Sequence, residues 1–157
     1  MNKNDKVDLE LDEFVTFKVN NQLFGLNVLD VRDVFKPTKI THIPKAPEVV
    51  FGVLNLRGRI VTVIDMYSIL GIHRDESLVD NSNSMNIVVE YRNESYALLV
   101  DKVGDVMYLS QDTFDDNPKT LNEKWASLSN GIHKLDNDIL IILDVSKTLS
   151  FLNNKAV

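Results

Sequence analysis

The residues that could do chemistry in this chain form no known catalytic or metal-binding pattern. The three histidines, His42, His73 and His133, lie far apart and belong to no HExxH or HxH arrangement. The absence of cysteine excludes thiol catalysis, disulfides and thiolate metal sites. Neither a GxSxG nucleophile elbow nor a phosphate-binding glycine loop occurs. We therefore predict no catalytic residue, no metal and no cofactor, and we do not expect an enzyme.

Aspartates offer one further candidate for metal chemistry. Asp136 and Asp138 have the spacing with which a calcium loop begins, but DNDIL lacks the glycine and the later ligands of such a loop. A hairpin tip is the simpler interpretation. Asp65 and Asp144 each precede a short segment of helical character, where an aspartate can cap the first N–H groups. The predicted helices are 66–70, which Gly71 is expected to end, and 145–152.

A single arginine is the most informative side chain. Arg57 stands in a turn, within the segment NLRGR at 55–59, and the apolar run at 60–64 that follows predicts a strand covered on both faces. One interpretation is a solvated hairpin tip. The other is an anchor for a protein partner, because arginine is enriched at interface hot spots. Asn55 is predicted to brace the turn through its side-chain amide, and Gly58 to supply a positive φ.

The elements around Arg57 occur twice in the chain. Two pairs of segments align apolar residues with apolar residues: 14–35 with 86–107 at an offset of 72, and 52–70 with 131–149 at an offset of 79. This order predicts two copies of one small β module. The segment NLRGR becomes KLDND at 134–138 in the second copy, so the fold itself does not require an arginine at this turn. That difference favours the partner-binding interpretation.

The elements that position these residues are short strands joined by tight turns. Predicted turns fall at 20–21, 57–58, 92–93 and 136–137. This pattern predicts a mostly β protein of two small barrels with short helices. A barrel of about 60 residues is only marginally stable alone, so we expect the two to share an apolar face. The predicted organisation is a tail at 1–12, a first barrel at 13–72, a linker at 73–84, a second barrel at 85–152 and a tail at 153–157.

The composition excludes several classes of protein. A hydrophobic fraction of 44% and a charged fraction of 25% are typical of a soluble globular protein. Acidic residues outnumber basic ones by 23 to 17, which argues against a nucleic-acid-binding barrel. No apolar run approaches the roughly 18–20 residues of a membrane helix, and the first residues resemble no secretory signal. We expect a cytoplasmic protein without direct membrane insertion.

Several segments resemble one known family. The segment FGVLNLRGRIVTVID at 51–65 resembles the GVxNLRGxxxPVxDL signature of the CheW family, the chemotaxis coupling proteins. Shorter segments are similar to other family motifs: EFVTF at 13–17, FGLNV at 24–28, VRDV at 31–34, IPKAP at 43–47 and VDKV at 100–103. The resemblance covers about 13–152. Thr62 stands where the family usually has proline, and Asp33 replaces a longer glutamate.

The resemblance implies a fold and a role. It implies two five-stranded SH3-like barrels around a common hydrophobic core, and a non-catalytic adaptor. Such an adaptor binds the cytoplasmic tip of methyl-accepting chemoreceptors and the regulatory CheW-like domain of the chemotaxis histidine kinase. It would be cytoplasmic and associated with membrane-bound receptor clusters through these partners. A CheW-like scaffold serving a non-chemotaxis kinase pathway is the alternative.

The resemblance also implies a binding site. Carried over to this sequence, the receptor groove uses Val31, Asp33 and Arg57. Asn55 and Gly58 support the turn that carries Arg57. No kinase-binding residue is assigned, beyond the expectation that the kinase meets exposed apolar strand ends.

Overall fold

The computed structural model describes residues 11–37, 39–73 and 84–155, which form eleven strands and three α-helices. The strands are β1 (Asp12–Val19), β2 (Gln22–Asn27), β3 (Val31–Phe35), β4 (Val50–Leu56), β5 (Arg59–Asp65), β6 (Met85–Tyr91), β7 (Glu94–Val100), β8 (Lys102–Leu109), β9 (Phe114–Asp115), β10 (Ser129–Lys134) and β11 (Ile139–Leu143). The helices are α1 (Met66–Leu70), α2 (Glu123–Leu128) and α3 (Val145–Thr148), with 3-10 helices at Val28–Asp30, Gln111–Thr113 and Ser150–Lys155.

The strands form two sheets, and each sheet is a small barrel. One has the order β3-β6-β7-β5-β4. Its two edges meet where Arg57, in the β4–β5 turn, forms an ion pair with Asp33 on β3. The other has the order β8-β1-β2-β11-β10-β9, and the 3-10 helix Gln111–Thr113 runs from one edge strand to the other. We name them the Arg57 barrel and the His133 barrel, after one residue in each.

The two copies of the repeat exchange their hairpins. The β6–β7 hairpin lies between β3 and β5, and the β1–β2 hairpin lies between β8 and β11. Both exchanges are made by parallel pairs, β5 with β7 and β11 with β2, among otherwise antiparallel neighbours. The expected barrel boundaries, 13–72 and 85–152, are therefore corrected, because each sheet takes strands from both halves. A repeat shows which segments are alike, and pairing partners are decided by tertiary packing.

The expected tails and linker fall mostly beyond the described residues. Residues 1–10 and 74–83 lie outside them, as do residues 156–157. Within the segment expected as a C-terminal tail, residues 153–155 belong to a 3-10 helix. The predicted helix 145–152 is also divided, since its α-helical part ends at Thr148.

The core has three parts, and strand alternation separates them. Ile87 on β6 faces the core between the sheets, and its neighbour Val88 faces the interior of the Arg57 barrel. Phe14 on β1 faces the interior of the His133 barrel, while Phe17 faces the core between the sheets. Burying a large apolar side chain stabilises the fold by about 1.5–3 kcal/mol. The shared core therefore joins two barrels that would be marginal alone, which confirms the predicted architecture.

The short helices connect the two halves of the chain. Asp65 caps α1 by accepting a hydrogen bond from Tyr67 N at 3.1 Å, and Gly71 ends it with a φ of 69°, as the sequence predicts. The Trp125 side chain on α2 donates from Nε1 to Leu70 O at 2.8 Å. An element from the second half of the chain thus satisfies a carbonyl at the end of a helix from the first half.

Three of the four predicted turns are two-residue hairpin turns with positive φ. The central residues are Asn20 (51°) and Asn21 (67°), Arg57 (52°) and Gly58 (84°), and Arg92 (52°) and Asn93 (65°). Positive φ at both positions is the signature of a type I′ turn, whose twist matches that of the strands. The fourth turn, at 136–137, belongs to a longer loop closed by a hydrogen bond from Leu135 N to Asp138 O at 2.9 Å.

Candidate protein-binding site

The β4–β5 turn holds the backbone of Arg57 in a defined place. Gly58 N donates to Asn55 Oδ1 at 2.9 Å, so the Asn55 side chain spans the turn as the sequence predicts. A Cβ on Gly58 would meet nothing within 4 Å, so its φ of 84° rather than a lack of space is the reason for glycine. Arg57 itself has a left-handed backbone conformation, which costs an L-residue about 1–2 kcal/mol. The turn thus presents Arg57 at the tip of the barrel.

An ion pair fixes the direction of the Arg57 side chain. Its Nη1 lies 2.9 Å from Asp33 Oδ2, with 77% of the Arg57 side chain and 26% of the Asp33 side chain exposed. The second carboxylate oxygen, Asp33 Oδ1, accepts from Val34 N at 2.8 Å, so Asp33 is itself held in place. An exposed ion pair contributes only about 0–1 kcal/mol to stability. Its main consequence is a charged group of fixed position with most of its surface open to a partner.

A cleft of about 180 Å³ lies beside this ion pair. Three arginines, Arg32, Arg57 and Arg59, line it together with three apolar side chains. The apolar side chains are Leu56, Val61 and Val88, which belong to the interior cluster of the Arg57 barrel. Arginines around an apolar floor suit a protein surface that presents an apolar side chain beside carboxylates.

The structure separates Val31 from the other predicted site residues. The pairing of β3 with β6 shifts register between Val31 and Asp33, which leaves Arg32 as an extra residue. Val31 packs on the edge of the shared core, whereas Asp33 lines the cleft. The structure therefore brings Asp33 and Arg57 together and places Val31 outside their cleft, on the same strand.

Exposed apolar residues near the site were not predicted. Ile60 belongs to the run that the sequence predicts to be covered on both faces, but 68% of it is exposed, so that prediction is wrong at this residue. Leu29, two residues before Val31, is 78% exposed. On the other barrel, Val106 and Tyr108 are exposed on the edge strand β8. Their apolar character alone predicts burial, so the sequence carried no signal for a surface position.

Metal binding and membrane insertion each require a feature that can be recognised in the structure. Among residues 11–37, 39–73 and 84–155, no group of three or more histidines and acidic residues is arranged to hold a metal ion. In the same part of the chain, no helix has the length and apolar character needed to cross a membrane.

Comparison with known proteins identifies the family. A family model described as a CheW-like domain matches residues 13–152. The chain belongs to the CheW family. The chemotaxis protein CheW of Thermotoga maritima is 31% identical over 137 residues, which cover 87% of each chain. The chemotaxis protein CheW of Klebsiella aerogenes is 29% identical over 141 residues, covering 88% of this chain and 81% of that protein.

A solved structure agrees with the CheW fold. The scaffolding protein TtCheW from Thermoanaerobacter tengcongensis superposes with a TM-score of 0.75 and 32% identity, over 85% of this chain and 89% of that chain. The resemblance of residues 51–65 to the CheW signature is therefore confirmed, and so is the two-barrel architecture. Membership of the CheW family supports an adaptor role in chemotaxis.

Proposed function

We propose that this CheW-family protein couples methyl-accepting chemoreceptors to the chemotaxis histidine kinase, without catalysis, and that the Arg57 cleft binds the receptor tip. The observation that carries the proposal is the ion pair of Arg57 with Asp33 beside an apolar-floored cleft. An adaptor needs firmly positioned recognition groups rather than reactive ones. A largely exposed arginine, whose carboxylate partner accepts a hydrogen bond from the neighbouring Val34 N, meets that need.

The His133 barrel lacks the corresponding ion pair, and this supports the assignment. At the offset of 79, Asp136 stands where the first copy has Arg57, and at the offset of 72, Asp105 stands where it has Asp33. Two carboxylates repel each other, so the corresponding ion pair cannot form. The barrel fold is nevertheless kept. The pair is thus dispensable for folding, and receptor recognition gives it a reason.

Each residue of the proposed receptor site has a distinct role. Arg57 donates hydrogen bonds to receptor carboxylates or carbonyl groups, and Asp33 positions its guanidinium. Asn55 and Gly58 hold the turn. Val31 contacts the receptor from the neighbouring end of β3, where Leu29 extends the apolar surface.

We assign the contact with the kinase to exposed apolar residues at the ends of strands. Ile60 begins the apolar part of β5, and Ile139 holds the matching position on β11 at the offset of 79. Both are exposed, which supports the proposal that the regulatory CheW-like domain of the kinase packs against a barrel end. Interfaces of modest strength become firm when many are linked in one array. The protein would then be a cytoplasmic component of membrane-bound receptor clusters, held there by its partners.

Replacement of Arg57 tests the receptor site. Arg57→Glu should weaken binding of a purified receptor-tip fragment by about 2 kcal/mol or more, roughly 30-fold, as expected for a hot spot. Arg92→Glu is a matched control, because Arg92 has the same φ of 52° at the first position of another two-residue turn. Calorimetric titration measures binding, and a thermal melt checks folding. Equal binding by both variants would remove Arg57 from the site.

The choice of pathway needs a different experiment. Tagged protein purified from its native cell should bring along a chemoreceptor and the chemotaxis kinase. Recovery of another kinase without receptors would replace the proposal with the alternative scaffold role.

A further inference from the structure

A short segment pairs with the outer edge of β4 in the Arg57 barrel. Thr41 and Val53 exchange two backbone hydrogen bonds, Thr41 N to Val53 O at 2.7 Å and Val53 N to Thr41 O at 2.9 Å. The segment lies so close to β4 that a Cβ on Gly52 would be 2.4 Å from Thr41 O and 2.8 Å from a side-chain carbon of Ile40. We call residues 40–41 the first clasp.

The His133 barrel has the same device at the matching place. At the offset of 79, Gly52 and Val53 correspond to Gly131 and Ile132. Here β9 pairs with β10, with Asp115 opposite Ile132. A Cβ on Gly131 would lie 2.4 Å from a ring carbon of Phe114. We call residues 113–115 the second clasp.

The two clasps differ in what lies beneath them. Under the first clasp, Leu54 is buried in the apolar interior of the Arg57 barrel. The matching residue under the second clasp is His133, which is 1% exposed. Its Nδ1 lies 2.8 Å from the hydroxyl of Thr113, a residue of the clasp itself. The rings of Phe14 and Phe114 both lie next to it, with centroids 5.4 and 5.5 Å from the imidazole.

The surroundings of His133 favour its neutral form. Burial lowers its pKa below the ordinary value of 6.5, and the charge of Asp12 opposes this more weakly. Asp12 also accepts a hydrogen bond from Gln111, and Asp115 is paired with Lys134 at 2.9 Å. Titratable and charged residues also occur on the elements packed around the imidazole. They are Asp12, Glu13 and Lys18 on β1, Lys102, Asp105 and Tyr108 on β8, Asp112 and Asp115 next to or in the clasp, Lys134 on β10 and Asp138 before β11.

We propose that the second clasp is an acid-operated flap, in which protonation of His133 releases residues 113–115 from β10 while the first clasp stays closed. A buried imidazolium next to two phenyl rings has lost its hydration, and one hydroxyl contact replaces little of it. Opening returns the charge to water. Apart from the packing of the Phe114 ring, the clasp is held by a two-residue strand and the exposed Asp115–Lys134 ion pair. The device lies on the barrel without the arginine cleft and does not depend on the receptor site.

Release would change the surface of the His133 barrel. It would uncover the outer edge of β10, whose N–H and C=O groups pair with β9 in the closed state. It would also open the interior cluster that contains Phe14. The protein would therefore present a different binding surface on this barrel in acid than at neutral pH.

Hydrogen exchange on the full chain tests the flap, with the first clasp as an internal control. Backbone amides of residues 113–115 and 132–133 should lose up to about tenfold in protection between pH 7.5 and pH 5.5, after correction for the intrinsic pH dependence of exchange. Amides of Thr41 and Val53 should keep their protection. Equal losses at both clasps, or no loss at the second, would overturn the proposal.

Two variants identify the titrating group. His133→Leu copies Leu54 and should abolish the pH response of the second clasp. Thr113→Val keeps the histidine and removes its hydroxyl partner, so it should lower protection already at pH 7.5. If His133→Leu does not fold, an NMR titration of the imidazole in the natural protein decides. Its protonation and the loss of protection at 113–115 should share one midpoint below pH 6.5, and separate midpoints would contradict the flap.

Discussion

The Arg57 barrel and the His133 barrel have the same fold but carry different side chains at matching surface and interior positions. Matching positions carry Arg57 and Asp136 at the hairpin tips, and Leu54 and His133 under the clasps. Strand order, exchanged hairpin and clasp glycine are the same in both. The features that agree are those that the fold needs. The features that differ are therefore where partner recognition and regulation should be sought.

The tips also differ in backbone. The Arg57 tip is a tight two-residue turn, which fixes its side chain closely. The Asp136 tip is a longer loop, in which Asp138 Oδ1 accepts a hydrogen bond from Ile139 N at 2.8 Å. A positioned cation at the tip of one barrel and two aspartates at the tip of the other make the molecule electrostatically asymmetric, although its net charge is −6.

The first prediction concerns a feature that both barrels share. Gly52→Ala should destabilise the protein by about 2–3 kcal/mol, because its methyl group would overlap the backbone carbonyl of Thr41. Gly58→Ala is the control, since it meets only backbone strain of about 1 kcal/mol and no neighbouring atom. Chemical denaturation measures both. Equal losses of stability in the two variants would mean that the contact of residue 52 with the first clasp does not contribute to stability.

The second prediction concerns a difference inside the barrels. Asn86 is fully buried in the Arg57 barrel, at the position that Phe14 holds in the other barrel. Neither polar atom of its amide has a hydrogen-bond partner among the described residues. Asn86→Leu should therefore stabilise the protein by about 1–2 kcal/mol, by removing an unsatisfied buried group. A thermal melt measures this, and a lower melting temperature would show that the amide is satisfied by a group such as an internal water.

The third prediction separates positioning from stability at the tip. Asp33→Ala should weaken receptor binding by about 1 kcal/mol, because Arg57 would have to be immobilised on binding. Stability should change by about 0.5 kcal/mol or less, as for exposed ion pairs. Asp105→Ala, at the matching position, should leave binding unchanged. If both variants bind alike, Asp33 does not position the arginine.

The fourth prediction is the smallest in global terms and concerns pH. The unfolded chain takes up a proton at His133 near pH 6.5, whereas the folded chain does so at a lower pH. The contribution of neutral His133 is therefore complete above pH 6.5 and declines as the pH falls below it. Asp115, whose pKa Lys134 lowers from 3.8, loses its small contribution only in stronger acid. Urea titrations of the natural protein and His133→Leu should diverge below pH 6.5, and parallel curves would contradict this account.

The sequence predicted local structure where single residues determine it. Asn20 and Asn21 tolerate positive φ, and Asp65 and Gly71 delimit a helix, so this turn and this helix could be predicted from the sequence. The polar composition of segment 109–130, with scattered apolar residues, predicts a long loop with room for one helical turn, whereas the segment contains β9 and the whole of α2. A two-residue strand has no periodicity to detect. Asn122, which accepts from Lys124 N at 2.9 Å, was the available signal for α2.

The candidate site was predictable in part. The residue type and turn of Arg57 singled it out, and the CheW resemblance added Asp33. The contact between them depends on the β6–β7 hairpin, which places the edges of the Arg57 barrel together and comes from the other half of the chain. The clasps also depend on tertiary packing, since the need for a glycine at Gly131 is apparent only from the position of the Phe114 ring against it. Such contacts between distant segments have no local signature.

One NMR experiment tests the central claim that the Arg57 barrel binds the receptor tip. The isotope-labelled protein is titrated with a receptor-tip fragment, and amide shifts are followed in both barrels. The account predicts the largest changes at residues 31–35 and 55–61, and small ones at the matching residues 103–107 and 134–140. Changes concentrated in the second set, or spread equally over both, would contradict it.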